Sequence, residues 1–118
     1  MKFGFITIMV RDLEKSVLFY EKLAGLKVLN RFNPGLGEIV FMANGEGETM
    51  LELISFENVP KVEVKSMVFS FTADEELEVI RQRAIDLGYE PTEIIEMGPK
   101  PKHFKVNDPD GITVEFGI

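Results

Sequence analysis

The sequence predicts an α+β fold in which two βαβββ modules form a curved, eight-stranded mixed sheet around a cleft. Three observations indicate this. Each half of the 118-residue chain opens with an apolar strand pattern followed by an amphipathic helix pattern. Each half continues with three strand patterns that turn residues separate. Each half also ends on a strand with one glutamate between apolar neighbours, in the segments Met50-Leu51-Glu52-Leu53 and Thr113-Val114-Glu115-Phe116. We therefore predict a single domain over residues 1–118, with one module over 1–57 and a second over 62–118.

Local signals predict each element of the first module. The apolar run from Phe3 to Val10 is typical of a strand that is covered on both faces. Asp12 stands where a helix N-cap belongs, and Gly25 is placed to end that helix. Three strand patterns follow, over residues 26–32, 38–43 and 48–55, and residues 58–61 read as the linker.

The second module repeats this order. A strand is predicted over residues 63–71, and Thr72-Ala73-Asp74-Glu75 has the pattern of a capping box. The following helix should bury a stripe made of Leu77, Ile80, Ala84 and Leu87. Gly88 should end it. Further strands are predicted over residues 90–96, 103–106 and 112–117, and the last two are joined by the turn sequence Asp108-Pro109-Asp110-Gly111.

Composition excludes several functional classes. The net charge is −7 with a pI near 4.7, and no Lys/Arg cluster suited to nucleic acid is present. No apolar run is long enough for a membrane span, and the N-terminus lacks a signal-peptide layout, so we expect a cytoplasmic protein. Cysteine is absent, which excludes disulfides, thiolate ligands and a thiol nucleophile. The acidic balance would favour a cationic ligand, or it simply keeps the protein soluble.

Two segments together resemble the vicinal oxygen chelate superfamily, which contains glyoxalases, extradiol dioxygenases, fosfomycin-resistance enzymes and bleomycin-binding proteins. The first segment resembles the family's strand-to-helix entry and the second its closing hairpin. They are Ile8-Met9-Val10-Arg11-Asp12-Leu13-Glu14-Lys15-Ser16-Val17-Leu18-Phe19-Tyr20 and Asp108-Pro109-Asp110-Gly111-Ile112-Thr113-Val114-Glu115. The resemblance covers the whole chain and implies the two-module fold. It also implies a homodimer, because small members usually build their clefts at a dimer interface.

In metal-dependent relatives, four inward-facing residues hold one divalent ion. The resemblance places these positions at Phe5, Glu52, Ser66 and Glu115. Both glutamates match the family, but the two positions where relatives usually keep histidine do not. Phe5 cannot bind a metal, and a serine hydroxyl is a weak ligand for zinc, nickel or iron. We therefore expect no metal cofactor, with a divalent ion held by the two glutamates as the alternative.

The predicted ligand-binding residues are the inward-facing side chains of these strands together with a polar pair at the rim. They are Phe5, Thr7, Met9, Met50, Glu52, Ser66, Val68, His103, Lys105 and Glu115. Burial beside a second carboxylate would raise the pKa of Glu52 or Glu115, unless each pairs with a nearby Lys, Arg or water. His103 is expected at the surface or the rim, with Lys105 pointing the same way. Phe5, Phe32 and Phe41 could line a pocket for a flat ligand, although most phenylalanines should fill the core.

These residues favour a metal-independent small-molecule-binding protein that resembles the bleomycin-resistance branch, with a role in antibiotic resistance. It would hold a cationic or aromatic ligand in an apolar cleft floored by the two glutamates. The alternative is a metal-dependent glyoxalase-like lyase or dioxygenase-like enzyme that uses Glu52 and Glu115 with a further ligand such as His103. A third reading is a structural or interaction module with a closed cavity.

Overall fold

The computed structural model describes residues 1–118, which form two helices and seven strands in two mixed sheets. The α+β class is confirmed, although the strand number is seven rather than eight. The chain divides into a first unit, Met1–Glu63, and a second unit, Val64–Ile118. The elements of the first unit are β1 (Phe5–Met9), α1 (Leu13–Leu23), β2 (Lys27–Phe32), β3 (Gly37–Ala43) and β4 (Met50–Phe56). Those of the second unit are β5 (Val68–Thr72), α2 (Leu77–Asp86), β6 (His103–Asn107) and β7 (Thr113–Gly117).

The sheet of the first unit has the order β1-β4-β3-β2, in which β1 runs parallel to β4 and the other pairs are antiparallel. One face is buried and the helix α1 contacts β4 and β2. Successive strand side chains point to opposite faces, so the residues that alternate with this buried set lie on the other face. The core side chains of this unit include Ile8, Leu13, Val17, Tyr20, Val40, Met42, Leu51 and Leu53.

The edge strand β2 is irregular. All six of its residues are exposed, and its register against β3 shifts between Val28 and Asn30. The extra residue at this bulge, Leu29, leaves the regular ladder with β3 interrupted.

The two helices begin differently. Asp12 is the N-cap of α1, as predicted, and its Oδ1 accepts a hydrogen bond from the backbone N–H of Lys15 at 3.1 Å. The predicted capping box of α2 is wrong, because α2 begins after Glu76, which makes no side-chain cap hydrogen bond. Thr72 is instead the last residue of β5, and Glu75 accepts two hydrogen bonds from Arg83 at 3.0 and 2.7 Å.

This difference gives a prediction for stability. Replacing Asp12 by alanine should lower the free energy of unfolding by about 1 kcal/mol, because an N–H in the first turn of α1 loses its acceptor. Replacing Glu76 by alanine is the matched control and should change it by less than about 0.5 kcal/mol. Urea unfolding of both variants checks this, and equal losses would contradict the assigned cap.

The sheet of the second unit has the order β5-β7-β6, with β5 parallel and β6 antiparallel to β7. Its buried face carries Phe104 and Phe116, whose ring centroids lie 5.4 Å apart. The helix α2 contacts β6. The buried side chains here are Leu77, Ile80, Ala84, Phe104, Val106, Val114 and Phe116.

Three predicted features of the second module are wrong. The first strand begins at Val68 rather than at residue 63, and Ser66 has a φ of 60° in the left-handed region, which breaks an extended chain. Residues 90–96 form no strand but only an isolated bridge from Ile95 to His103. Leu87 is exposed because it follows the last turn of α2.

The closing turn agrees with the sequence. Oδ1 of Asp108 accepts hydrogen bonds from the backbone N–H groups of Asp110 at 2.8 Å and Ile112 at 2.9 Å. This aspartate fixes the turn between β6 and β7. Neither helix is long and apolar enough to cross a membrane.

Candidate functional site

Each unit places one glutamate beside one hydroxyl on neighbouring parallel strands. The β1/β4 register pairs Thr7 with Glu52, and the β5/β7 register pairs Ser70 with Glu115. Thr7 Oγ1 donates to Glu52 Oε1 at 2.5 Å, and Ser70 Oγ donates to Glu115 Oε2 at 3.1 Å. The two partners are separated by 45 residues in both units. The internal repeat therefore places the same pair of chemical groups at the same register position twice.

Of the four family positions, only Glu52 and Glu115 belong to these hydroxyl–carboxylate pairs. Phe5 pairs with Met50 rather than with Glu52, and Ser66 precedes β5 altogether. Ser70 was not among the predicted binding residues, although strand alternation places it on the same face as Val68. The signal that could have found it is the equal separation of Thr7 from Glu52 and of Ser70 from Glu115.

In the first unit, Glu52 lies beside a group of three phenylalanine rings that we call the aromatic surface: Phe5, Phe32 and Phe41. Phe41 is the register partner of Glu52 on β3. The ring of Phe5 meets that of Phe41 edge-on, with centroids 5.6 Å apart, and Phe32 stacks on Phe41 at 6.5 Å. Phe5 is 50% exposed and Phe32 is 42% exposed. This face is therefore open, with the half-buried Met9 and Met50 at its side.

Glu52 itself has no cationic partner. It is half-buried, and the structure gives it one hydrogen bond, from Thr7, and no ion pair with a Lys or Arg. A partly desolvated carboxylate gains from any cation that reaches it, because burial weakens its hydration. The first unit thus presents an unneutralised carboxylate within an open apolar surface.

In the second unit, Glu115 is 7% exposed and is neutralised by the chain itself. Lys100 Nζ donates to Glu115 Oε1 at 2.6 Å. The hydrogen bond from Lys100 lowers the pKa of Glu115, and the Ser70 hydroxyl and the charges of Lys100 and His103 act in the same direction, while burial opposes them. Of the two alternatives predicted for this carboxyl, pairing with a lysine is the one that the structure shows, and the ammonium group outweighs the desolvation.

His103 lies close to the ion pair of Lys100 and Glu115. It is 6% exposed, so its predicted place at the surface or the rim is wrong. Its Nδ1 is hydrogen-bonded to the carbonyl oxygen of Pro101 at 2.8 Å, which means that Nδ1 carries a proton, and its Nε2 lies 4.0 Å from Glu115 Oε1. The register partner of His103 on β7 is Gly117.

The remaining predicted residues of this unit flank the glutamate. Lys105 is half-buried and is the register partner of Glu115 on β6, and Val68 is exposed and pairs with Thr113. Lys100 was not predicted, since it belongs to an irregular Gly/Pro-containing segment with no periodic pattern. Its role depends on a contact that only the folded second unit creates.

The donor groups of the two units do not meet the requirements of a divalent ion. No group of three or more His, Asp or Glu residues in the 118-residue structure is arranged to hold a metal ion. In the first unit, Glu52 is accompanied by a hydroxyl, and in the second unit the Lys100 ammonium already neutralises Glu115. Zinc, nickel and iron sites are built from several nitrogen, sulfur or carboxylate donors, so neither set fits such an ion.

Comparison with known proteins extends these observations. A family model described as the Glyoxalase/Bleomycin resistance protein/Dioxygenase superfamily matches residues 2–116. The chain is 29% identical over 114 residues to the uncharacterized protein YwbC of Bacillus subtilis (strain 168), covering 92% of this chain and 90% of that protein.

Two solved structures share the fold. TnmS3, an antibiotic binding protein from Streptomyces sp. CB03234, superposes with a TM-score of 0.76 at 19% identity, over 99% of this chain and 94% of that one. The trypanothione-dependent glyoxalase I of Leishmania major superposes with a TM-score of 0.76 at 23% identity, over 99% of this chain and 86% of that one. At these identities the likeness concerns the fold alone, which is shared by a binding protein and an enzyme.

Proposed function

This chain belongs to the Glyoxalase/Bleomycin resistance protein/Dioxygenase superfamily, and we propose that it is a small-molecule-binding protein that needs no metal ion. Its ligand is a flat, cationic compound that binds on the first unit, with the cation at Glu52 and the ring system on the aromatic surface. TnmS3, which shares this fold, is an antibiotic binding protein, and this is compatible with the proposal. Antibiotic binding by this chain is part of the proposal.

One observation carries the proposal: a half-buried carboxylate without a cationic partner lies in register with Phe41 on an open face. A cation placed there would form a charge-assisted hydrogen bond or ion pair with Glu52. The faces of Phe5, Phe32 and Phe41 would add stacking and cation–π attraction. A neutral ligand would gain only the stacking, so we expect the charge of the ligand to control its affinity.

The donor sets also support metal independence. Glu52 has a hydroxyl beside it, and Glu115 is occupied by an ammonium group that would repel a metal cation. The alternative, a glyoxalase-like or dioxygenase-like enzyme, draws support from His103, whose Nε2 faces Glu115 at 4.0 Å. Lys100 would have to leave before this pair could bind an ion. A cytoplasmic homodimer stays a prediction from composition and family resemblance.

The proposal is tested with two probes of nearly the same shape, N-methylacridinium, which is permanently charged, and acridine, which is neutral in mildly alkaline buffer. Titration calorimetry should show tighter binding of the charged probe. Replacing Glu52 by glutamine should weaken N-methylacridinium binding by about tenfold, because this cation, which has no N–H group, loses its ion-pair attraction to the carboxylate. Acridine binding should change little.

Glu46→Gln is the matched control. It removes the same charge from an exposed turn residue between β3 and β4, and it should leave both affinities unchanged. If both probes bind equally well, or if Glu46→Gln weakens binding as much as Glu52→Gln, the assigned cation site is wrong. Metal analysis of the purified protein completes the test, since a stoichiometric transition metal would favour the enzyme instead.

A further inference from the structure

The ammonium group of Lys100 lies on a carboxylate that is otherwise shielded from water. Its Nζ is 2.6 Å from Glu115 Oε1, and the second oxygen of this carboxylate accepts a hydrogen bond from the hydroxyl of Ser70. The Lys100 side chain is 54% exposed, whereas that of Glu115 is 9% exposed. The ammonium group therefore reaches Glu115 from the solvent side, in the position that an ammonium group from solution would take.

Lys100 reaches this position from a weakly attached segment. Residues 97–101 lie outside the helices and strands and make no backbone–backbone hydrogen bond. Gly98 has a φ of 101°, and Pro99 and Pro101 have no backbone N–H to donate. The contacts that tie the segment to the sheet are the Lys100–Glu115 ion pair and the hydrogen bond of His103 to the Pro101 carbonyl. Because the segment has so few contacts with the sheet, its local detachment costs little free energy.

The first unit shows the same arrangement without a lysine. Thr7 and Glu52 repeat the geometry of Ser70 and Glu115 on equivalent parallel strands, yet no ammonium group from the chain occupies Glu52. We propose that Ser70 and Glu115 form a second binding site, for primary alkylammonium groups, and that Lys100 is its tethered occupant. This inference concerns the second unit and does not depend on the ligand proposed for Glu52.

The tether determines when a free ligand can bind. A group on a short flexible segment competes at an effective concentration in the millimolar range, so weak free amines are excluded while Lys100 is in place. A ligand must displace Lys100, or the positive charge of Lys100 must be removed. His103 and Lys105 border the same carboxylate, which restricts the site to one small ammonium group.

The experiment removes the tethered group and supplies a free one. Lys100→Ala and the wild-type protein are titrated with propylammonium chloride at constant pH, and the backbone amide signals of Ser70 and Glu115 are followed by NMR. In Lys100→Ala we expect saturable shifts and a rise in melting temperature, with an affinity at least about tenfold higher than in the wild type, because tethered competition is removed. Lys102→Ala is the matched control. Its ammonium group pairs with Glu78 and Glu96, so this variant should respond like the wild type.

Two further probes separate binding from ionic screening. Sodium chloride and tetrapropylammonium chloride, which has no N–H group, should give no saturable shift at Ser70 or Glu115. The inference is overturned if they act like propylammonium, or if wild type and Lys100→Ala bind propylammonium equally. Lys100→Gln repeats the test with a longer neutral side chain should the alanine variant fold poorly. In a Glu52→Gln background the response must persist, and its loss would assign the shifts to the first unit and overturn the second site.

Discussion

Replacing Gly37 by alanine is expected to lower the free energy of unfolding by about 3 kcal/mol, a large effect for a substitution that adds one methyl group. Gly37 is the first residue of β3 and has a φ of 137°, a conformation that favours glycine. A Cβ at this position would lie 2.0 Å from the backbone oxygen of Ser55 and 3.0 Å from Cδ1 of Phe56. Because a backbone oxygen in a paired strand cannot move aside, β3 would have to separate from β4.

Gly35→Ala is the control for this prediction. Gly35 also has a positive φ, of 108°, but a Cβ there would meet no heavy atom within 4 Å. Gly35→Ala should therefore lower the free energy of unfolding by only about 1 kcal/mol, because it strains the backbone conformation without a steric overlap. Chemical unfolding of the two variants separates backbone strain from steric overlap. Equal losses in both would show that the contact with Ser55 carries no energy.

Replacing Phe104 by alanine is the second substitution with a large expected effect. It should lower the free energy of unfolding by about 3–5 kcal/mol. Phe104 is fully buried on β6, and its ring packs against that of Phe116. Removal of the ring leaves a cavity in the small core of the second unit, which few other side chains can fill. Thermal or urea unfolding measures the loss.

Phe5→Ala is the informative comparison. Phe5 is half exposed and makes an edge contact with Phe41, so its loss should cost about 1 kcal/mol or less. Phe5→Ala should also weaken N-methylacridinium binding. In Phe104→Ala, any loss of binding should come only from the fraction of protein that is unfolded. If Phe5→Ala destabilises the protein as much as Phe104→Ala, then Phe5 is a core residue and the aromatic surface is not a binding face.

Local chemistry explains what could be predicted from the sequence. Asp12 as an N-cap, Asp108 in the closing turn and the apolar periods of the two helices act over a few residues, and the structure shows each of them. Glu52 and Glu115 were found because each is a single charged residue in an apolar strand. The placement of each glutamate on the face away from the helix follows from alternation alone.

The remaining features depend on contacts between distant residues. Whether residues 90–96 form a strand is decided by available partners, and only Thr92 and Ile95 form backbone hydrogen bonds to β6, at Lys105 and His103. The parallel register that joins Thr7 to Glu52 cannot be read from either strand by itself. Lys100 carries no periodic signal, and its contact with Glu115 spans 15 residues across an irregular segment.

The bulge at Leu29 also has a consequence for self-association. An exposed edge strand offers unpaired N–H and C=O groups on which another copy could add a strand, and unlimited addition of this kind leads to aggregation. In β2 the displaced residue interrupts the spacing of these groups, and Lys27 places a positive charge at the start of the same edge. A second copy would meet mismatched hydrogen-bonding groups and a like charge. This edge therefore discourages the growth of fibrils from the first sheet, even though its apolar residues are exposed.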